Sequence, residues 1–408
     1  MHSKHAMLFI LVTVLIDTIG FGIVAPVTPE LIVELTGETL SEAALYGGWL
    51  MFLYALAQFF AAPILGNLSD RFGRRPVLIA SLLTLGLDYL LMALAPDLTW
   101  LFIGRAIAGV AGATFATANA YIADVSDPEM RAQNFGLLGS AWGLGFILGP
   151  VIGGVLGEYG PRVPFFAASA LACANVLYGF FVLPESLPRE SRRPFAFARA
   201  NPIGAFKQMR RHPGVVLLFG AIILYQIAHD ANPSTRTYYT MLKFEWTERD
   251  VGFSMGVLGL SIMLVQGLLI RFVIPRLGDR LTVLAGLIVM AFGYLGFSLA
   301  TEGWMMLVFI IPFALGSLAM PALRSILSKR VGPEAQGELQ GVMSSLVSLT
   351  AIIAPVFLTQ LFGYFTSLEA PIYFPGAAFF AAAILTVGSA VVAAGVLFSQ
   401  PGRHAASE

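Results

Sequence analysis

Gly66–Pro76, GNLSDRFGRRP, decides the fold of this chain. It separates two apolar runs, each long enough to cross a bilayer. It packs one acid (Asp70), three arginines (Arg71, Arg74, Arg75) and two glycines (Gly66, Gly73) into so few residues that the flanking spans must form a hairpin. Glycine lets the backbone reverse without steric cost, so a tight turn is expected over the whole stretch. The arginines fix that end of the hairpin on the cytoplasmic side.

The signal returns in the second half of the chain. A constant shift of 205 takes Arg71, Gly73 and Arg75 to Arg276, Gly278 and Arg280. The same shift takes Pro128, Gly136 and Pro150 to Pro333, Gly341 and Pro355, Asp97 to Glu302, and Tyr89 to Tyr294. One offset holding without a gap describes two homologous halves. With the turn on the same side both times, they form a parallel repeat about an axis along the membrane normal.

Composition agrees. Of 408 residues, 57% are hydrophobic and 12% charged, about half the charge of a soluble domain. An all-α polytopic membrane protein follows. Spans of ~20 apolar residues fall near 6–28, 44–65, 77–95, 98–121, 134–157, 163–183, 214–236, 251–271, 281–300, 304–325, 337–363 and 372–398. These are twelve helices in two pseudo-symmetric six-helix bundles, 1–183 and 214–408, joined by a basic cytoplasmic linker, 184–213. The first apolar run lacks a small-residue cleavage site and continues to Pro26, too far for a cleavable signal. With the N-terminus inside, 19 of the 24 Lys and Arg lie on inner segments, which places both termini in the cytoplasm.

The one cysteine, Cys173, excludes an intrachain disulfide and a Cys-based metal cluster. The chain contains no GxxxxGK[ST] and no HExxH. Energy must therefore come from an ion gradient or the substrate's own gradient rather than ATP, and a membrane enzyme is the poorer reading. No cofactor or metal is expected, and no nucleic-acid partner.

Ionisable side chains at membrane depth are costly and mark function. Asp17 lies near the midplane of the first span, and Asp88 at similar depth in the third. Arg105 sits inside the fourth span, and His229 and Asp230 are adjacent in the outer half of the seventh. Asp17 is a candidate proton or substrate carboxylate, with Arg105 as the movable partner that makes its protonation conditional. The alternative for each is a structural polar contact. Gln58 and Asn119 are lone polar groups that either face substrate or bond a neighbouring helix. Trp49, Phe52, Tyr54 and Trp142 either line a cavity or pack. In the fifth span, Gly145, Gly149 and Gly153 recur every fourth residue beside Gly154 and Pro150, giving a smooth face for close helix packing.

Together these residues resemble the major facilitator superfamily along the whole chain. GNLSDRFGRRP is similar to its loop 2–3 signature, Arg105 with Gly109 to its helix 4 signature, and GFILGPVIGG (Gly145–Gly154) to the helix 5 signature of its drug/proton antiporters. LIDTIGFGIVAPVTPEL and YIADVSDPEMRAQNFGLLGSAWGLGFILGPVIGG resemble the tetracycline/proton antiporter group more narrowly. That resemblance implies proton-coupled efflux of amphipathic, drug-like compounds by alternating access, from a monomer in a bacterial inner membrane. It implies intramembrane roles for Asp17, Gln58, Asp88 and Arg105. It also implies a cytoplasmic gate of Gly66, Asp70, Arg71, Gly73, Arg74 and Arg75 with Asp124 as partner of a motif arginine. The group carries a histidine in helix 8 and an acid in helix 9. This chain has Ile262 and Met290 there, and His229–Asp230 is the candidate replacement. Proton-coupled metabolite uptake and lipid or lysolipid flipping remain open.

Overall fold

The computed structural model describes residues 2–112, 114–127, 129–193, 213–331 and 336–398. Most of the expected linker, 194–212, lies outside the described residues, as does the C-terminal 399–408. No strand occurs among the described residues. The helices are α1 (His2–Val24), α2 (Thr28–Thr36), α3 (Leu40–Phe72), α4 (Arg74–Ala93), α5 (Leu98–Ala111), α6 (Thr114–Val125), α7 (Arg131–Gly157) and α8 (Val163–Val182). They continue as α9 (Pro213–His229), α10 (Ala231–Phe244), α11 (Glu248–Leu264), α12 (Ile270–Leu299), α13 (Gly303–Gly316), α14 (Ala319–Val331), α15 (Gln336–Thr366) and α16 (Ala377–Phe398).

Among the described residues, ten helices are long and apolar enough to cross a membrane. One of them, Glu248–Leu299, is 52 residues and holds two spans, divided where Gly278 takes φ 72°. The shorter apolar α5, taken with α6, makes a further span. The total is the expected twelve.

The chain forms two compact units. The first comprises Met1–Asn201, Ser234–Leu260 and Pro355–Ala370. In it α1 packs on α7 and α8, α4 on α8, and α3 on α5. Its core joins Ile10, Val14, Leu78, Tyr121, Ile122 and Leu138. The second comprises Pro202–Pro233, Ser261–Ala354 and Pro371–Glu408. There α12 packs on α13, α14 and α16, and α9 on α16.

The opening stretch is not a turn over its whole length, as its composition suggests. Gly66 to Phe72 remain helical, and the reversal is confined to Gly73, at φ 107° and ψ 158°. Loss of apolar character at Gly66 marks the edge of the hydrocarbon layer, not the end of the helix. The 33 residues of α3 reach ~50 Å at 1.5 Å each, well beyond a ~30 Å hydrocarbon core. Gly73 is required twice over. Its dihedrals suit glycine alone, and a Cβ there would overlap the Glu185 carboxylate.

The repeat is visible in the helices themselves. Asp97 and Glu302 each stand at the N-cap of the helix that follows. Tyr89 and Tyr294 are both buried, and Pro150 and Pro355 both lie inside long helices.

Candidate functional site

The first unit holds polar side chains from five helices at membrane depth. Asp88 of α4 is 1% exposed, and neither carboxylate oxygen has a hydrogen-bond partner among the described residues. It sits against Gly104 of α5, where a Cβ would come within 2.8 Å of its Oδ1. Arg105 follows on α5. Its guanidinium donates to the Met92 thioether at 3.2 Å and stands 5.9 Å from the Tyr54 ring centre. The Arg105 charge acts on Asp88, Tyr54 and Tyr89. The expected pairing of Asp17 with Arg105 is not among the ion pairs of the described residues, and the acid facing Arg105 is Asp88. Asp17, half-buried on α1, acts on the same two tyrosines. Gln58 of α3 donates to Tyr54 Oη at 3.3 Å and to the Gly112 carbonyl at 3.2 Å, which ties α3 to the end of α5. Asn119 is half-buried on α6.

Tyr54 and Tyr89 thus join Asp17, Gln58, Asp88 and Arg105. Tyr89 carried no signal in the chain except its match to Tyr294. From Tyr54 an aromatic path runs to Phe21 at 6.1 Å, on to Phe146 at 5.8 Å, and to Trp142 at 4.3 Å.

The helix with the glycine stripe is held between two others. On one face Gly145, Gly149 and Gly153 meet α1, and a Cβ on Gly153 would overlap the Ile23 carbonyl. On the other, Gly154 approaches the Glu248 carbonyl and Gly252 approaches that of Pro150, so α11 lies against α7 within this unit. The Pro150 ring packs on Gly22 of α1, and its carbonyl faces Gly252 of α11.

At the outer end Glu30 of α2 hydrogen-bonds the carboxyl of Glu248, the first residue of α11. That bond, burial and the neighbouring charge push Glu30 up to about 7. The surrounding charges are internally paired: Arg162 with Glu34 at 2.7 Å and Arg249 with Glu158 at 3.4 Å.

At the inner end Arg74 is the centre of a knot. It donates to Asp70 at 2.5 Å, to Ser69 at 2.7 Å and, through Nε, to Asp124 of α6 at 3.0 Å. Its backbone N–H donates to Glu185 at 2.9 Å, and Ser186 donates to Asp124 at 3.1 Å. Arg75 donates to the Phe180 carbonyl and Arg71 lies over Phe72, so neither joins the knot through a carboxylate. Glu185 carried no sequence signal. It caps α4 from 111 residues away.

The second unit holds the corresponding knot with its signs exchanged. Adding 205 takes Arg74 to Asp279 and Asp124 to Lys329. Lys329 donates to Asp279 at 2.5 Å, and Ser325 adds a bond at 3.1 Å.

Deeper in the second unit α9 ends at His229. Pro233 has no N–H to offer the His229 carbonyl, so the helix breaks at Asp230 and restarts at Ala231. The His229 ring stacks between Tyr225 at 5.9 Å and Phe313 at 6.3 Å. Asp230 and Asn232 both act on Tyr294. At the two positions where a histidine and an acid would complete the family pattern, Ile262 packs with Val265, Ala314 and Leu318, and Met290 is fully buried against Gly316.

Known proteins agree with this arrangement. The family model of the Major Facilitator Superfamily matches residues 10–355 and 238–408. The chain is 40% identical to the tetracycline resistance protein, class C, of Escherichia coli, over 89% of this chain and 91% of that protein. It is 36% identical to the class B protein of Escherichia coli, over 87% and 88% respectively. The fold is similar to that of the nucleoside transporter NupG, with TM-score 0.78 and 12% identity, covering 96% of this chain and 99% of that one. With kinship at that level along nearly the whole length, the chain belongs to the Major Facilitator Superfamily and, within it, to the group of the tetracycline resistance proteins.

Proposed function

We propose that this chain exports amphipathic, drug-like compounds, tetracycline-type molecules included, in exchange for protons. The observation that carries the reading is the buried Asp88 carboxylate, without a hydrogen-bond partner among the described residues, beside the Arg105 guanidinium. A desolvated carboxylate next to a cation whose contacts are a thioether and a ring is a site where binding a proton changes the local balance of forces. Kinship to the tetracycline resistance proteins favours efflux over uptake or lipid flipping.

In this scheme Asp17, Asp88 and Arg105 couple protons to transport. A proton arrives from outside onto Asp17 or Asp88, and Arg105 shifts towards whichever acid stays charged. Substrate meets Gln58 and Asn119 in the first unit and His229, Asp230 and Ile262 in the second. The flat Tyr225–His229–Phe313 stack suits a fused-ring ligand. Gly66, Asp70, Arg71, Gly73, Arg74, Arg75 and Asp124 form the cytoplasmic gate, whose ion pairs hold one state and part in the other. Gly145, Gly149, Pro150 and Gly153 keep α7 tight on α1, and Gly154 keeps it tight on α11. Bundles 1–183 and 214–408 rock about the linker 184–213. At ~2.3 kcal/mol per charge per 100 mV, one inward proton sustains roughly tenfold or more of substrate gradient. The protein works as a monomer in a bacterial inner membrane, with both termini in the cytoplasm.

Everted vesicles energised by respiration and carrying a pH-quenched dye test this. Adding tetracycline or a cationic amphiphile should restore fluorescence, and Asp17→Asn and Asp88→Asn should each abolish the recovery. A well-folded protein that gives no recovery with any compound would sink the antiport reading.

A further inference from the structure

The inner end of the second unit holds a cavity of about 570 Å³. Its lining comes from α12, α14 and the end of α16. Its lining divides by chemistry. Among the described lining residues three cations, Arg280, Lys329 and Arg330, accompany one acid, Asp279. Asp279 is already engaged by Lys329 and Ser325, so it offers little repulsion to an incoming anion. An ammonium has three donors, and the bond to Asp279 uses one. The remaining wall is apolar and open: Leu277, Leu281 and Phe398 are 45%, 52% and 51% exposed.

A purely aqueous anion has no use for that wall, and a neutral lipid has no use for the cations. A basic pocket with an apolar mouth, at the ends of membrane helices, fits a phosphate ester carrying acyl chains. The repeat sharpens the argument. Subtracting 205 takes Lys329 to Asp124 and Arg330 to Val125, so the first half lacks both cations at the matching places. At the other matching places the first half has Arg74 for Asp279 and Arg75 for Arg280, so the charge of Arg330 is what the second copy adds.

We propose that this cavity binds the headgroup of an anionic phospholipid, with Arg280, Lys329 and Arg330 around the phosphate and the acyl chains along Leu277, Leu281 and Phe398. The lipid comes from the cytoplasmic leaflet, a point that rests on the orientation proposed above. The binding itself does not depend on the transport reading.

Native mass spectrometry of the delipidated full chain in neutral detergent tests it, with phosphatidylglycerol, phosphatidylcholine and inorganic phosphate as probes. Phosphatidylglycerol should bind at least tenfold tighter than phosphatidylcholine, and added ammonium acetate should weaken it. Arg280→Gln and Arg330→Gln should each weaken phosphatidylglycerol roughly fivefold, the effect of one surface charge. Arg276→Gln, at the same end but outside the cavity lining, should leave it unchanged. Equal binding of the two lipids, or undiminished phosphatidylglycerol binding in Arg280→Gln/Arg330→Gln, would overturn the proposal. So would displacement of the lipid by millimolar phosphate, which would mark a soluble-anion site. The lipid preference and its salt dependence are read on the unaltered chain, so the proposal stays exposed even if a variant folds poorly. Lost lipid binding with intact dye recovery in vesicles would overturn this inference and leave the antiport reading standing.

Discussion

Glu30 illustrates what one side chain can report. Its carboxyl holds a proton up to about pH 7 because that proton bridges to Glu248. The contact between α2 and α11 is therefore fully present well below pH 7 and weakens as pH rises through it, when two carboxylates face each other. With the acid raised above its ordinary value of 4.5, the state that keeps the contact binds more protons, so its stability falls with rising pH across that window. Hydrogen exchange in residues 30–36, corrected for intrinsic rates, should show protection falling as pH passes 7. Glu30→Gln should keep the protection and lose the pH dependence. Flat protection in the unaltered chain would refute the shared proton. Other residue-level features were only partly legible. Asp17, Asp88 and Arg105 stand out in any apolar run, but which acid faces Arg105 depends on how α4 and α5 rotate against each other. Linear spacing carries no such information. Glu185 and Tyr89 are ordinary residues in the chain, made significant only by what folds against them.

Helices were easier to read than their ends. Twelve spans follow from hydrophobic length, and the two breaks that matter, at Gly73 and Gly278, coincide with the repeat. The extent of α3 did not follow, because hydropathy tracks the hydrocarbon layer whereas a helix ends where its hydrogen bonds end. The two glycines of the opening stretch therefore answer differently to substitution. Gly73→Ala forces a side chain into a glycine-only conformation and onto Glu185, and should cost about 1–3 kcal/mol. Gly66→Ala adds a methyl inside a helix with nothing within 4 Å, and should stabilise by about 0.5–1 kcal/mol. Thermal unfolding in detergent should separate them as a lowered and a raised midpoint. Equal shifts would contradict the single-residue break. At α7, Gly153→Leu should part α1 from α7 and lower the yield of folded protein in size-exclusion chromatography.

At the scale of the molecule, duplication explains most of what could be read and one thing that could not. Identity at a constant offset exposed Gly73 with Gly278 and Pro150 with Pro355. It passed over Asp279 and Lys329, because those positions are complementary to Arg74 and Asp124 rather than identical to them. Arg74 is 8% exposed. Asp124→Asn should cost about 1–3 kcal/mol, with Asp70 still compensating the arginine. Arg74→Asp combined with Asp124→Arg should recover part of what either change loses alone, measured as a double-mutant cycle on unfolding midpoints. No recovery would mean that Ser69 and Asp70 demand an arginine at position 74 for their own sake. The exchanged signs also limit how the halves can be recombined. Grafting GNLSDRFGRRP over the matching loop of the second half would set an arginine at position 279 directly against Lys329. A chimera built from the better-known loop alone would inherit a repulsion that neither parent contains. Only a graft that carries both ends of the bond would be electrically neutral to the exchange.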